Sequence, residues 1–215
     1  MREEAQRNEK KYSSGIVEAD CSLEKYDSFL KNAGANENLE GICLGIAERG
    51  GTARLLDIGC GNGKALWELK QKLWKKVWIC GMDLVKPEFK LDEFIGGDAL
   101  EKEFPCEADL IVSFRALHEI GFPEKILEKC CSALASGGRA ILSFRAMEFR
   151  EGKLAYLGEM KAEDIGFLEA VLEEKRFGEC RAGGKTVYAF EEAEREGKKG
   201  TVAFIAGINV FLEKK

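Results

Sequence analysis

No apolar run in the sequence approaches the ~18 residues a helix needs to cross a bilayer. The charged start, Met1-Arg2-Glu3-Glu4-Ala5-Gln6-Arg7-Asn8-Glu9-Lys10-Lys11, also lacks the apolar core of a signal peptide. Both absences point to a cytoplasmic protein with no membrane partner. Basic charge is not in excess either. Thirty-three Lys and Arg face 38 Asp and Glu, giving a net charge of −5 and a pI near 5.3. Nucleic acids are gripped by clustered cations that neutralise phosphates, so this balance weighs against such a partner. The small cluster Lys72, Lys75 and Lys76 fits the solvated end of a helix better. Histidine is almost missing: His118 stands alone and cannot complete a His-rich metal site. The eight cysteines include no Cys-x-x-Cys spacing, and apart from the adjacent Cys130-Cys131 they are scattered through apolar segments. They read as free, buried thiols of a reducing compartment rather than as zinc ligands. Internal repeats and low-complexity linkers are absent. A chain of 215 residues is long enough for one full core and short for two, so one domain spanning 1–215 is expected. No signal for an oligomeric state is visible in the chain.

Hydrophobic periodicity supplies the organisation. Leu23, Tyr26, Asp27, Phe29 and Leu30 sit at helical spacing before Gly34. Leu39, Ile42, Cys43, Ile46 and Ala47 form a second helical face that stops at Gly50-Gly51. From Arg54 onward strands alternate with helices. Strands are expected at 54–58, 77–82, near 94–95, at 109–114 and at 139–144, with helices at 64–75 and 123–134. Continuous apolar strands separated by helices imply a parallel sheet covered on both faces. After Phe144 the rhythm changes to a mixed segment, 146–160, and a helix at 161–175. Two β-rich stretches follow, within 177–190 and 201–212, separated by the charged segment from Glu191 to Gly200. Strands joined by a loop pair antiparallel, so the sheet should end in a hairpin. The expected fold class is therefore α/β. Its core spans 51–215, and the helices of 1–50 act as a cap or lid over it.

The stretch most informative about function is Leu55-Leu56-Asp57-Ile58-Gly59-Cys60-Gly61-Asn62-Gly63. It reads as an apolar strand, a glycine turn and a helix starting at Lys64. Glycine at alternate positions lets a ligand approach the backbone and leaves amides to point at it. Asp57 adds a carboxylate to the same crevice. A dinucleotide-binding turn also follows a first strand and uses an acid ~20 residues on. Two features argue against that. Gly59-x-Gly61-x-Gly63 lacks the third glycine of Gly-x-Gly-x-x-Gly, and Asp57, two residues before the first glycine, would meet the pyrophosphate.

The stretch resembles the first motif of the class I S-adenosylmethionine-dependent methyltransferases. Further matches follow along the chain. Asp83 ends the second strand, and Asp98 follows the third. The fourth strand and the turn after it are matched by Ala108-Asp109-Leu110-Ile111-Val112-Ser113-Phe114-Arg115-Ala116-Leu117-His118-Glu119-Ile120. The turn before the fifth strand is Leu134-Ala135-Ser136-Gly137-Gly138, and the terminal hairpin matches the family's reversed seventh strand. The resemblance covers roughly residues 50–212. It implies a Rossmann-like, seven-stranded, mostly parallel sheet of order 3-2-1-4-5-7-6, with helices on both faces and a C-terminal antiparallel hairpin. It also implies S-adenosyl-L-methionine as cofactor and transferase activity.

On that resemblance, Gly59 and Gly61 pass against the methionine portion and the sugar, and Cys60, Asn62 and Gly63 of the same turn are cofactor-binding residues. Asp57 faces the ammonium, directly or through water. Asp83 accepts both ribose hydroxyls. Asp98 accepts from the adenine amine, with Ala99 or Leu100 donating a backbone amide. Leu84 or Met82 packs on the adenine face, and Phe114 lies nearby at the end of the fourth strand. In-line placement of two reactants can supply ~7–11 kcal/mol, so a base is needed only when the acceptor must lose a proton. His118 is the one candidate base, against simple packing in a helical turn. Arg115 and Arg145 each follow a Ser-Phe pair at a strand end and suit an acceptor carboxylate or phosphate, or else ordinary pairing with Glu119 and Glu148. Tyr12 is a further candidate at the acceptor side. Tyr26, Phe29, Phe149 and Tyr156 read as core packing or as lid residues, and no metal is expected. The exocyclic-amine methylases' Asn/Asp-Pro-Pro-Tyr is replaced by Ser113-Phe114-Arg115-Ala116. That disfavours exocyclic-amine chemistry on bases, and with the acidic charge and the absence of an appended binding domain a small-molecule acceptor is expected. The alternatives are rRNA, tRNA or protein methylation, or a catalytically inactive cofactor-binding partner subunit.

Overall fold

The protein's computed structural model describes residues 22–114, 116–150, 153–156, 158–173, 176–195 and 198–215; within these, the side chains at 32, 145–150, 153–156, 187–195 and 198–206 are not described. Eight strands run in chain order: β1 Ala53–Ile58, β2 Val77–Asp83, β3 Glu93–Gly96, β4 Ala108–Ser113, β5 Leu134–Arg150, β6 Lys153–Tyr156, β7 Cys180–Arg195 and β8 Lys198–Lys214. The helices are α1 Leu23–Ala33, α2 Leu39–Gly50, α3 Lys64–Leu73, α4 Leu117–Ile120, α5 Pro123–Ala133 and α6 Ala162–Glu173. The strands join in the order β3-β2-β1-β4-β5-β8-β7, with β6 paired to β5 as an extra short strand. The five strands from β3 to β5 are parallel, and β8 lies antiparallel between β5 and β7. Leaving out the added β6, this is the 3-2-1-4-5-7-6 sheet.

Local signals explain where the first helices begin and end. The Ser22 side chain accepts from the Lys25 amide (3.3 Å), and Gly34 closes α1 with φ 92°. Asn38 caps α2 by accepting from the Gly41 amide (2.8 Å). Asp27 of α1 accepts from the Leu39 amide (2.9 Å), so a carboxylate from one helix sits on the positive end of the next. Two apolar layers flank the sheet. On one face Leu23, Leu30, Ile42, Ile46, Leu66 and Leu69 of α1, α2 and α3 meet Leu55, Leu110 and Val112. On the other, Ile126, Leu127, Ile165 and Leu168 of α5 and α6 meet Leu56, Ile111, Leu142 and Val210. Each strand therefore turns alternate side chains into two cores, which is why the sequence shows unbroken apolar runs.

Two segments differ from expectation. The stretch 146–160 is partly a hairpin, with β5 prolonged to Arg150 and Lys153–Tyr156 folding back on it. The charged stretch from Glu191 to Gly200, expected to be a loop, is mostly strand. Ala193 pairs with Gly200, Glu194 with Lys199 and Arg195 with Lys198, leaving only residues 196–197 between β7 and β8. Charge makes a poor half-buried strand, yet ladder hydrogen bonds need only backbone, so an outlying two-stranded ribbon accepts residues that a covered sheet rejects.

Candidate cofactor site

Parallel register brings the carboxyl ends of β1, β2 and β3 to one edge of the sheet, with Asp57 beside Gly81 and Asp83 beside Gly96. The turn after β1 is left-handed at Gly59 (φ 80°), Gly61 (φ 57°) and Gly63 (φ 80°). At Gly59 the need for glycine is doubled, because a β-carbon there would run into the side chain of Ala116 after β4. The loop amides, expected to be free for a ligand, are largely used inside the protein. Gly59 and Cys60 donate to the Met82 carbonyl (2.7 and 3.1 Å), Gly61 donates to Asp83 Oδ2 (2.8 Å), and Gly63 donates to the Cys60 carbonyl (3.1 Å). The glycines thus pin the loop flat against β2 and serve close approach rather than an anion nest. The Asn62 side chain accepts from the Lys64 amide (3.1 Å) at the start of α3. The Cys60 side chain turns inward against Gly81, and burial pushes its thiol far up.

Asp57 is fully buried. Its Oδ2 accepts from the Tyr26 hydroxyl (2.7 Å), while Oδ1 has no hydrogen-bond partner among the described residues. Burial raises its pKa to about 7; the Tyr26 bond works against that rise and the negative Asp83 adds to it. Tyr26 reaches Asp57 because helical spacing turns it inward with Leu23 and Leu30. Its ring stands edge-on to Phe114 (centroids 5.1 Å, 79°), and Phe114 also packs on Phe29 (5.7 Å). Sequence reasoning treated Tyr26 only as packing or a lid. The missed signal is that a tyrosine at a buried helical position needs a partner for its hydroxyl.

Asp83 accepts from the amides of Gly61 on Oδ2 (2.8 Å) and of Val85 on Oδ1 (3.2 Å). Burial raises its pKa, and the amides of Gly61, Val85 and Leu84 counter that rise. A carboxylate has about four acceptor sites, so Asp83 keeps accepting capacity beyond these amides. Asp98 Oδ1 accepts from the Leu100 amide (2.8 Å), and Ala99 is buried beside it. Met82 is buried in the core under α5, whereas Leu84 is only partly buried just past the end of β2. Ser113 donates its hydroxyl to the Ile58 carbonyl (2.6 Å), holding the ends of β1 and β4 together.

The acceptor-side candidates are less converged. His118 is buried in α4, with Nε2 3.6 Å from Glu119 Oε1, and its carbonyl accepts from the Glu159 amide (2.8 Å). Arg145 lies on β5 opposite Gly207, with its side chain outside the described residues; Arg115 and Tyr12 lie outside them altogether. So do the side chains of Phe149 and Tyr156. Seven cysteines among the described residues are free, and no group of three or more His, Cys, Asp or Glu there could hold a metal ion. No helix among the described residues is long and apolar enough to cross a membrane.

A glycine turn after β1, carboxylates at three successive strand ends and a reversed strand between β5 and β7 together define the class I S-adenosylmethionine-dependent methyltransferase fold. Residues 23–168 match the methyltransferase domain family, and the chain belongs to it. Solved structures with the same fold include the YcgJ protein of Bacillus subtilis, 14% identical with a TM-score of 0.52 over 82% of this chain and 97% of that one. TehB of Haemophilus influenzae is 13% identical with a TM-score of 0.53, covering 89% of this chain and 67% of that one. A 1,6-didemethyltoxoflavin-N1-methyltransferase from Burkholderia thailandensis, solved with 1,6-didemethyltoxoflavin and S-adenosylhomocysteine bound, is 15% identical with a TM-score of 0.49 over 95% of this chain and 86% of that one. No curated protein sequence matches the chain.

Proposed function

We propose that the protein transfers the methyl group of S-adenosylmethionine to a small-molecule acceptor. The observation that carries the proposal is the row of Asp57, Asp83 and Asp98 at or just past successive strand ends beside a glycine turn, with one buried oxygen of Asp57 unpartnered among the described residues. A buried carboxylate oxygen without a donor is costly, and a cationic group would satisfy it. The cofactor's ammonium fits that requirement. Asp83 would hold the ribose hydroxyls on its remaining lone pairs. Asp98 would accept from the adenine amine. Because Leu100's amide already donates to Asp98, Ala99's is the one left for the ring. Leu84, rather than the core-buried Met82, would cover the adenine face. Bound there, S-adenosylmethionine supplies an electrophilic methyl on a sulfonium.

The chain's own residues would orient and shield the reactants. Tyr26 of α1 bonds the fully buried Asp57, and its ring packs on Phe114, which packs on Phe29. This supports residues 1–50 acting as a cap on the core 51–215, the two working as one domain. His118 is the proposed base where the acceptor must lose a proton, and Arg115, Arg145 and Tyr12 are the proposed acceptor contacts. The Ser113-Phe114-Arg115-Ala116 sequence disfavours methylation of base exocyclic amines, and the excess of acidic charge favours a small molecule over RNA or protein. The buried free cysteines favour a reducing, cytoplasmic setting.

The test is incubation with isotope-labelled methyl donor and a metabolite extract. Wild type should label one or more small molecules, and Asp83→Ala should cut that labelling by about 10- to 100-fold at limiting donor, as loss of charged hydrogen bonds predicts. Labelling confined to RNA or protein fractions would overturn the small-molecule assignment.

A further inference from the structure

Tyr26 and Asp57 make a contact that apolar packing alone would not select. Asp57 lies on β1 between core positions, level with Val112 of β4, where a valine or leucine would be less costly to bury. The partner that reaches it comes from α1, 31 positions earlier in the chain. Tyr26 satisfies only Oδ2. Its neighbour Asp27 holds the start of α2 through the Leu39 amide. The two residues therefore tie α1 to the strand end on one side and to α2 on the other.

We propose that Tyr26 is a positioning residue that couples the seating of α1 to occupancy of the cofactor site through Asp57. The coupling rests on the assignment of S-adenosylmethionine to that site. A cationic ligand group at Oδ1 favours the ionised carboxylate. The ionised carboxylate is the stronger acceptor for the Tyr26 hydroxyl at Oδ2, so α1 is held more firmly when ligand is present. Linkage makes the effect reciprocal: whatever the seated helix adds to ligand affinity, the ligand adds to helix seating.

The charge state of Asp57 is poised for this role. Its pKa near 7 in the unliganded protein lets it exist in both forms at neutral pH. The titratable groups facing it are Tyr26 from α1, Asp83 from β2 and the Cys60 thiol from the glycine turn. Asp83 opposes ionisation of Asp57, Tyr26 favours it, and Val112 at the same level of β4 brings no charge. A ligand cation shifts that balance toward the carboxylate.

Two probes separate coupling from simple packing. S-adenosylhomocysteine carries the ammonium; 5′-methylthioadenosine keeps the adenosine and sulfur but lacks it. Tyr26→Phe keeps the ring against Phe114 and removes only the hydroxyl. Titration calorimetry should show Tyr26→Phe weakening S-adenosylhomocysteine about tenfold, the scale of one charge-assisted hydrogen bond, with 5′-methylthioadenosine unchanged within about twofold. The loss should grow as pH falls below 7. Hydrogen exchange should show α1 amides protected by S-adenosylhomocysteine in wild type and much less in the variant. As a second variant, Asp57→Asn should erase the advantage of S-adenosylhomocysteine over 5′-methylthioadenosine. Equal losses for both ligands in Tyr26→Phe, or none for either, would overturn the coupling while leaving the cofactor assignment intact. If wild type bound neither ligand, the cofactor assignment would fall and the coupling with it.

Discussion

Asp57 illustrates a conflict between folding and binding within one side chain. Its folded pKa, about 7, lies above the ordinary carboxyl value of 3.8. The folded, unliganded protein therefore holds its proton more tightly than the unfolded chain does. The stability associated with that proton is fully present below about pH 4 and is lost as pH rises through about 7. Asp57→Asn removes this dependence, so thermal unfolding without ligand should show the variant gaining on wild type between pH 5 and pH 8. A wild type-to-variant difference that stayed flat across that range would mean Asp57 is ionised in the free protein. The same side chain shows what a sequence can convey. The place of Asp57 near the end of a strand, just before the turn Gly59-x-Gly61-x-Gly63, was legible in the sequence. Its bond to Tyr26 was not, because it depends on which way α1 packs on the sheet. Met82 and Leu84 were equal candidates because, two residues apart, alternation gives them the same face, and only the end of β2 at Asp83 tells them apart.

At the scale of elements, the helices and parallel strands were legible because each buries one stripe or one face, and that periodicity is written in Leu, Ile and Val. Leu39, Ile42, Cys43, Ile46 and Ala47 are all buried in α2 as their spacing requires. The ribbon of β7 and β8 was only partly legible, since backbone pairing continues through Glu194 and Lys199 without any apolar signal. The link between α1 and α2 belongs to this scale too. Removing the Asp27 carboxylate frees the amide end of α2, and Asp27→Ala should cost roughly 0.5–2 kcal/mol, the range of a lost helix cap. Native-state hydrogen exchange should register that loss first in α1 and α2. Exchange that accelerates equally in α5 and α6 would show instead that the contact supports the whole fold.

At the scale of the whole molecule, the sheet order explains why three distant carboxylates meet. Crossovers of β1 to β2 to β3 through α3 and the segment after β2 run outward to one edge, and the chain then returns to place β4 on the other side of β1. The crevice at that reversal is where ligands bind in open α/β sheets. The strand ends place Asp57 and Asp83 there, with Asp98 just past β3, and Tyr26 of α1 bonds Asp57 while its ring packs on Phe114. The glycine turn fixes the loop by giving most of its own amides to β2 and to itself, so in the proposed site recognition of the ligand would fall to the carboxylates. A carboxylate-lined crevice suits a ligand with an ammonium and two ribose hydroxyls better than one with phosphates. The most direct measurement is titration calorimetry of the wild-type protein with S-adenosylmethionine and S-adenosylhomocysteine. One molecule of each should bind per chain with a micromolar dissociation constant, a scale of roughly −8 kcal/mol. Binding no tighter than millimolar for both would contradict the assignment of this crevice to the sulfonium cofactor.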